Sequence, residues 1–285
     1  MKNSLRGGMK VKKRIRGKLT AHLILLFLAL ICLLPFVMVL INSFKKHKDI
    51  VRSPLMVQFT AGVGNYMDAW RAANFSHTIL NSLVYTASAV LIVLFCSILA
   101  AYVLAGRKVK GTGLVMMYFM FAMTVPVQLF LVPLYKTYAK LGLLGNLVAV
   151  SVIQAATNLP LAITLLRTFF LSIPAELEEA ARMDGAGTLS VIHYIILPVI
   201  SPGIITVSII VALNTWNEFL VSSTFLIGEK NFTAMLALLA INGQNTQNYG
   251  LNLAATVTLV GPIIIFFLLI QRKFIDGIVS GSVKG

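Results

Sequence analysis

Six long apolar stretches, separated by short polar segments, dominate the chain. They cover residues 19–41, 79–105, 114–134, 146–170, 203–226 and 251–270. Each has about the 20 predominantly apolar residues that an α-helix needs to cross a bilayer. Pro35, Pro126, Pro133 and Pro160 stand inside them, where neighbouring helices can satisfy the freed backbone groups. The pattern predicts an all-α integral membrane protein with six transmembrane helices.

The polar segments divide the chain around these spans. We expect a basic, disordered tail over 1–18, a first transmembrane helix over 19–44, an extracytoplasmic segment over 45–78, a membrane core over 79–270 that includes a loop at 171–200, and a C-terminal tail over 271–285. The first apolar run is too long for the apolar region of a signal peptide, so it is expected to remain as a span. Segment 229–250 is rich in Asn and Gln and is expected to be a polar outer loop.

Composition supports the membrane assignment and changes the interpretation of the net charge. Of the 285 residues, 58% are hydrophobic and 12% are charged, against about 25% charged in an average soluble domain. The net charge is +15, but eight of the 24 Lys and Arg residues lie in 1–18, beside the first span. That placement is typical of a cytoplasmic end near anionic lipid, so nucleic-acid binding is not expected. Cys32 and Cys96 lie in spans and suggest neither a disulfide framework nor a metal site.

The distribution of basic residues predicts the orientation. With six spans both termini lie on one side, and the segments on that side carry 16 Lys and Arg residues against eight on the other side. The positive-inside rule then places both termini and loop 171–200 in the cytoplasm.

A short polar segment between the fourth and fifth spans differs from the sequence around it. It covers 174–198, PAELEEAARMDGAGTLSVIHYIILP. Pro174 suits a first helical turn, Glu178 and Arg182 form a favourable pair four residues apart, and Gly185 and Gly187 interrupt the pattern. The predicted helix has about three turns, too short and too charged to cross a membrane. Helix chemistry alone fits a solvated loop as well as a docking surface for a partner protein.

The spacing in this segment resembles the EAA motif of ABC importer permeases. The fixed positions are filled by Glu179-Ala180-Ala181, Gly185, Ile195 and Leu197-Pro198, and Asp184 directly precedes the glycine. In that family the loop is a cytoplasmic coupling helix that docks in a cleft of the ATP-hydrolysing subunit. The resemblance implies that the glutamate makes a polar contact, that the small residues allow close docking, and that the Leu-Pro pair fixes the turn into the next span.

The resemblance extends over residues 60–285 and points to carbohydrate permeases of the maltose-permease (MalG-like) type. It rests on Ala100-Ala101-Tyr102 with Arg107, Pro126 with Gln128, Pro133-Leu134-Tyr135, Leu141-Gly142-Leu143 with Asn146, Leu166-Arg167, Trp216-Asn217-Glu218-Phe219, and the tail from Gln271 and Phe274 to Lys284-Gly285. The family has a MetI-like membrane domain in which spans two to six form the core and span one packs outside. It implies a multi-pass protein of the bacterial cell membrane.

The same resemblance implies the partners. They are a second, MalF-like permease subunit, two copies of an ABC ATPase subunit, an extracytoplasmic solute-binding protein, a carbohydrate substrate and membrane lipid. The sequence has no phosphate-binding glycine loop, metal cluster or catalytic triad spacing. The chain is therefore not expected to be an enzyme or to hold a cofactor, and ATP with Mg²⁺ would be bound by the partner ATPase.

Polar residues inside the spans are candidates for a translocation path. They are Gln128, Asn158, Asn214, Trp216, Asn217 and Glu218, with Gln154 near Asn158. Glu218 is the acidic residue predicted inside a span, where an ionisable group is costly and indicates a functional site by default. Amide, carboxylate and aromatic groups suit sugar binding. An outer-interface or gate role for Trp216 and Glu218 fits the pattern somewhat better, and the amides also fit hydrogen bonds between helices.

Three other functions compete with that of a sugar importer subunit. A MetI-like permease for peptides, polyamines, phosphonates or methionine would share the fold, although Trp216-Asn217-Glu218-Phe219 and the tail favour sugar. An ion-coupled secondary transporter or channel, with Glu218 as the ion carrier, would leave 174–198 unexplained, and no internal repeat is visible in the sequence. A membrane enzyme would need a catalytic cluster, which the sequence lacks.

Overall fold

The computed structural model describes residues 2–106, 109–244 and 248–282, and their side chains over 20–106, 109–243 and 248–271. These residues form helices and no strand. The α-helices are α1 (Lys2–Ser43), α2 (His47–Arg52), α3 (Gly64–Ala72), α4 (Phe75–Ala105), α5 (Thr112–Ala122), α6 (Leu131–Lys140), α7 (Leu147–Leu171), α8 (Ala175–Met183), α9 (Thr188–Val191), α10 (Leu197–Val199), α11 (Ser201–Trp216), α12 (Leu220–Phe225), α13 (Ala234–Gln244) and α14 (Tyr249–Ser282). Short 3₁₀ helices cover Val127–Phe130 and Glu229–Asn231, and a π-helical turn covers Ile192–Ile196.

Four continuous stretches are long and apolar enough to cross a membrane. They are Thr20–Ser43 in α1, the whole of α4 and α7, and Tyr249–Gln271 in α14. Two further spans are bent pairs, in which Thr112–Ala122 meets Val127–Lys140 at 86° and Thr188–Val199 meets Ser201–Trp216 at 79°. Counting each bent pair once gives six spans. The predicted all-helical membrane fold is confirmed, but the third and fifth spans are not the single helices that their apolar runs predicted.

The third span is broken at Pro126. This residue has extended backbone, with φ −67° and ψ 133°, directly before the 3₁₀ helix. Proline lacks the backbone N–H of an α-helix and disfavours helical geometry in the residue before it. Pro133 lies in the first turn of α6, where the missing N–H costs little, so it does not add a second break.

The fifth span ends earlier than predicted. Helix α11 stops at Trp216, and α12 starts at Leu220, so Glu218 lies in a break and not inside a continuous helix. The Glu218 carboxylate accepts hydrogen bonds from the backbone N–H groups of Val221 at 2.6 Å and Ser222 at 2.9 Å. A side chain that bonds to the backbone ahead of it begins a new helix and ends the old one.

Three predicted non-helical segments are helical in the structure. Residues 2–18 continue α1, and α14 continues to Ser282, so the predicted tails are extensions of spans. The predicted outer loop 229–250 contains α13, whose residues Leu236 and Ile241 are buried. Its apolar run is short, and the Asn and Gln residues around it concealed the helix. Arg107 and residues 283–285 lie outside the described residues.

The chain groups into two compact units, of which the first comprises Met1–Ala69 and Asn245–Thr258. Here the predicted extracytoplasmic segment folds against the end of α1. Asn65 Nδ2 donates to the carbonyl oxygens of Ser43 and Lys45, both at 2.8 Å. The buried Lys45 Nζ donates to the Ser53 carbonyl at 3.0 Å. A Cβ on Gly250 would lie 2.5 Å from the Lys45 carbonyl oxygen, so α14 approaches closely at this point.

The second unit comprises Trp70–Gln244 and Leu259–Gly285. Helices α4 and α7 pack against each other, and α11 packs against both. A cluster that we call the loop-side core joins these helices to segment 174–200; it contains Val93, Ala101, Ala155, Ala162, Leu166, Phe169, Phe170, Ala181, Val191, Ile192, Ile196, Ile200, Val207 and Val211. Towards the other end of α4, a second cluster contains Tyr85, Tyr138, Val150, Ile153, Val221, Phe225, Leu226 and Leu236.

Candidate functional site

Helix α8 occupies the polar segment, as the sequence predicted. It begins after Pro174 and is nine residues long, or about 13.5 Å at 1.5 Å per residue. The N–H groups of Gly185 and Ala186 donate to the carbonyls of Arg182 at 3.0 Å and Ala181 at 2.9 Å. This pair of bonds is a Schellman cap, and the φ of +83° at Gly185 is the left-handed conformation that favours glycine. Gly185 therefore has a structural role in ending the helix.

The two faces of α8 have different surroundings. Glu178, Ala181 and Arg182 share the face of α8 that contacts the rest of their own unit. Ala181 belongs to the loop-side core with 8% of its surface exposed, Glu178 is half-buried, and Arg182 is exposed but hydrogen-bonds to Tyr102 of α4. Glu179 and Ala180 are exposed. Of the small residues predicted to allow docking, Ala180 and Gly185 are therefore open to a partner. Ala181 is not, because it packs inside its own chain.

A ring of hydrogen bonds joins the inner face of α8 to the end of α4. Tyr102 donates through its hydroxyl to Glu178 Oε1 at 2.7 Å. Arg182 donates to the same oxygen from Nε at 3.1 Å and from a terminal nitrogen at 2.8 Å, and that terminal nitrogen also donates to the Tyr102 hydroxyl at 3.0 Å. The bond with Glu178 is the main cause that raises the pKa of Arg182 above its usual range, so the guanidinium stays charged.

The second half of the segment leads into the fifth span. Ile195 and Leu197 are half-buried and pack against the loop-side core, whereas Pro198 is exposed. The run bends by 79° between Val199 and Ser201. The π-helical turn just before Pro198 adapts the helix to a residue that has no N–H to donate.

The apolar side chains of this surface were not predicted from the sequence. Met183, Leu189 and Tyr194 are 87%, 76% and 75% exposed, and Asp184 beside them is also exposed. Large apolar residues inside an otherwise polar segment were the signal that could have identified them. With Glu179, Ala180, Asp184 and Gly185, they form what we call the outer face of the loop.

The predicted path residues fall into separate environments. Asn214 Nδ2 donates to Asn158 Oδ1 at 3.0 Å and so joins α11 to α7. Asn217 donates to the Leu213 carbonyl of its own helix end at 2.8 Å. Trp216 has a buried Nε1 without a partner among the described residues, and Gln128 is exposed on the 3₁₀ helix after Pro126.

A cavity of about 1020 Å³ lies along α5, α6 and α7. It is lined by Leu114, Met117, Tyr118, Phe121, Ala122, Met123, Val125, Val127, Phe130, Leu134, Tyr138, Val152, Ile153, Gln154, Ala156, Thr157, Pro160, Glu218 and Val221. Of the six predicted path residues, Glu218 belongs to this lining, and Gln154 lies there too. The Met and aromatic residues of α5 were not predicted, because apolar side chains in a span look the same in sequence whether they face lipid or a cavity.

The polar groups that line the cavity suit hydrogen bonding. Within the part of the chain that the structure describes, no three His, Cys, Asp or Glu side chains come together as a metal site would require. The cavity can therefore contact a polar solute through Gln154, Thr157 and Glu218, and through the faces of its aromatic rings.

Comparison with solved structures confirms the fold. The chain is similar to a crystal structure of a bacterial ABC transporter involved in the import of the acidic polysaccharide alginate, with a TM-score of 0.76 and 24% sequence identity. The similarity covers 92% of this chain and 97% of that one.

Comparison with curated sequences identifies the family. The chain is 35% identical over 267 residues to the probable ABC transporter permease protein YurM of Bacillus subtilis (strain 168), which covers 93% of this chain and 89% of that protein. It is 34% identical over 254 residues to the melibiose/raffinose/stachyose import permease protein MelC of the same organism, with 88% and 91% covered. Residues 93–278, which include the loop and the cavity, match a family model, and the chain belongs to that family, the binding-protein-dependent transport system inner membrane components.

Proposed function

We propose that this chain is one of two membrane-spanning subunits of an ATP-driven importer of a sugar or oligosaccharide. It forms half of the translocation pathway beside a second permease subunit, and a solute-binding protein delivers the sugar at the outer face. Two copies of a separate ATPase subunit bind ATP with Mg²⁺ and hydrolyse it, so the chain is not itself an enzyme. The excess of basic residues beside the inner segments supports a place in the bacterial cell membrane with both termini in the cytoplasm.

The outer face of the loop is the observation that carries the coupling part of the proposal. Helix α8 packs Ala181 on its own unit and leaves Glu179, Ala180 and Met183 uncovered by the described residues. Large apolar side chains that stay exposed beside polar ones, as Met183, Leu189 and Tyr194 do here, are typical of a protein–protein contact. The ATPase subunit is the partner that would cover this face on the cytoplasmic side.

The loop-side core supplies the path from the loop to the spans. Ala181 of α8 packs in the same cluster as Ala101 of α4, Leu166 of α7 and Val207 of α11. Packed interiors resist deformation, so this cluster keeps α8 in contact with the three spans when α8 is displaced. ATP-driven closure of the ATPase subunits then turns the pathway from inward-facing to outward-facing, the sugar leaves its binding protein, and hydrolysis resets the cycle.

The cavity supports a sugar as the solute. Tyr118, Phe121 and Tyr138 present aromatic rings that can cover the apolar faces of sugar rings, while Gln154 and Glu218 offer hydrogen bonds. The relative MelC is named as an importer of melibiose, raffinose and stachyose, which agrees with this assignment. Glu218 is part of the wall of the translocation path and does not carry an ion, because both of its carboxylate oxygens accept backbone hydrogen bonds.

To test the proposal, the chain is reconstituted in vesicles with its partner permease, ATPase subunits and binding protein. ATP-dependent uptake of raffinose and melibiose is then measured. We expect Met183→Glu to insert normally but to lose ATPase co-purification and ATP-dependent uptake, because the new charge lies in the docking surface. Met56→Glu places the same charge on an exposed methionine far along the chain and is the matched control. Uptake that runs on an ion gradient without ATP, or ATPase association that survives Met183→Glu, would contradict the proposal.

A further inference from the structure

We propose that Tyr102 is a positioning residue that transmits the movement of α8 to the span α4 through its hydroxyl. This inference rests on the proposed coupling function and assigns a part of it to one hydrogen-bonded ring. The ring consists of Tyr102, Glu178 and Arg182, and Tyr102 is the member that comes from a span.

The ring differs from an ordinary pair on a helix surface. Glu178 and Arg182 stand four apart on α8 and would pair without any help from another element. Tyr102 bonds to both members of this directly bonded pair: its hydroxyl donates to Glu178 and accepts from Arg182. Hydrogen bonds to charged groups are stronger than neutral ones, and removal of the hydroxyl breaks both bonds at once.

The surroundings of Tyr102 make its end of α4 a place where the loop is attached to the spans by hydrogen bonds. The centroid of the aromatic ring of Tyr102 lies 6.0 Å from that of Phe170 in α7. Two residues further along α4, the Leu104 carbonyl accepts a hydrogen bond from Arg167 Nε at 3.0 Å. The end of α4 is thus attached to α7 by Arg167 and to α8 by Tyr102, so both helices act on it.

Packing and hydrogen bonding contribute differently to this attachment. The apolar contact of Ala181 with the loop-side core resists separation of α8 from the spans but tolerates sliding, because apolar contacts have no preferred direction. The hydrogen bonds of the ring require short distances and favourable angles, so they fix the position of α8 along α4. We therefore expect a displacement of the outer face to move α4 fully only while the hydrogen bonds among Tyr102, Glu178 and Arg182 are intact.

The experiment separates transmission from docking by a readout that needs no sugar. Thr157, which is exposed and lines the cavity, is replaced by Cys in a chain carrying Cys32→Ser and Cys96→Ser. Maleimide labelling at this position is followed in the reconstituted complex, with and without ATP and vanadate. We expect the nucleotide to change the labelling rate in this background. In Tyr102→Phe we expect that change to be about tenfold smaller, with ATPase association and hydrolysis retained.

Tyr135→Phe is the matched control, since it removes a hydroxyl for which the structure shows no hydrogen bond within the described residues. Glu178→Gln keeps the shape of the side chain and removes its charge, and its nucleotide-induced change in labelling rate is expected to fall between those of the parent and Tyr102→Phe.

An unchanged labelling response in Tyr102→Phe, with ATPase association still abolished by Met183→Glu, would overturn the inference and leave the proposed function standing. Equal losses of assembly and labelling in Tyr102→Phe would also overturn it, because they indicate a merely structural role. Retained association in Met183→Glu would instead overturn the proposed function itself.

Discussion

Gly203 lies directly against the aromatic ring of Phe169, so that a Cβ on Gly203 would be 2.6 Å from Phe169 Cδ2. Gly203 is in the first turn of α11, and Phe169 is near the last turn of α7. These are the two spans that segment 174–200 connects. Their contact therefore holds the two ends of the loop together at its base.

Replacement of Gly203 by Ala is expected to destabilise the protein by about 1–3 kcal/mol, the usual cost of overpacking a filled core. Phe169 belongs to the loop-side core and cannot move freely away from the added methyl group. The thermal unfolding midpoint in detergent measures the effect. Gly261→Ala is the control, because nothing lies within 4 Å of a Cβ built at that position. Phe169→Leu should restore part of the loss in the Gly203→Ala background, and equal midpoints for the two alanine variants would contradict the steric account.

Substitutions at Gly185 should separate its two roles. Alanine is strained at a φ of +83°, whereas asparagine tolerates the left-handed region better. The space above Gly185 is open, so a larger side chain projects towards the partner. We expect Gly185→Asn to be more stable than Gly185→Ala but weaker in ATPase association, and Gly185→Asp to lose association most. Thermal unfolding ranks the variants by stability, and co-purification ranks them by ATPase association. If the two rankings are identical, the left-handed turn alone accounts for the effect of replacing Gly185.

Changes at Glu218 should reveal a helix cap and not an ion carrier. Because its carboxylate accepts the N–H groups of Val221 and Ser222, Glu218→Ala is expected to cost about 1 kcal/mol, as loss of a helix cap does. Glu218→Gln keeps one acceptor oxygen and should lose less. Under the proposed function, ATP-dependent sugar uptake should persist in Glu218→Gln and be insensitive to a protonophore. Complete loss of uptake in Glu218→Gln at unchanged stability would favour the ion-carrier alternative.

The hydrogen bond between Asn214 and Asn158 should couple α11 to α7 energetically. Such bonds between membrane helices contribute about 0.6 kcal/mol on average. A double-mutant cycle with Asn158→Ala and Asn214→Ala, measured by unfolding in detergent, should give an interaction energy of this order. Asn217 bonds within its own helix end, so the cycle of Asn158 with Asn217→Ala is the control and should give an interaction energy near zero.

The apolar runs predicted most spans well, because the thickness of a bilayer requires about 20 consecutive, mostly apolar residues in each span. The predicted start of the fourth span at 146 corresponds to Asn146, whose side chain accepts from the Ala149 N–H and begins α7. The end of α8 was also predictable from Gly185, since a glycine after a helix-forming run is a local signal.

The features that the sequence did not predict depend on contacts between distant residues. The run 203–226 did not show the break at Glu218, because Phe219, Leu220, Val221 and Phe225 keep that part of the run apolar on average although polar residues lie among them. The hydroxyl of Tyr102 finds its partners 76 and 80 residues further along the chain. Ala180 and Ala181 are adjacent and identical in sequence, yet only the packing of α8 decides that one is exposed and the other belongs to the core.

The wall of the cavity has a consequence for solute selection. Gln154, Thr157 and Glu218 are few polar groups for a space of about 1020 Å³, and most of the lining is apolar. Under the proposed function, a sugar in this space is held weakly and released quickly, which favours throughput over discrimination. Recognition is then the task of the delivering protein, so that one pair of membrane subunits could accept cargo from several such proteins, provided that the sugars have a similar size.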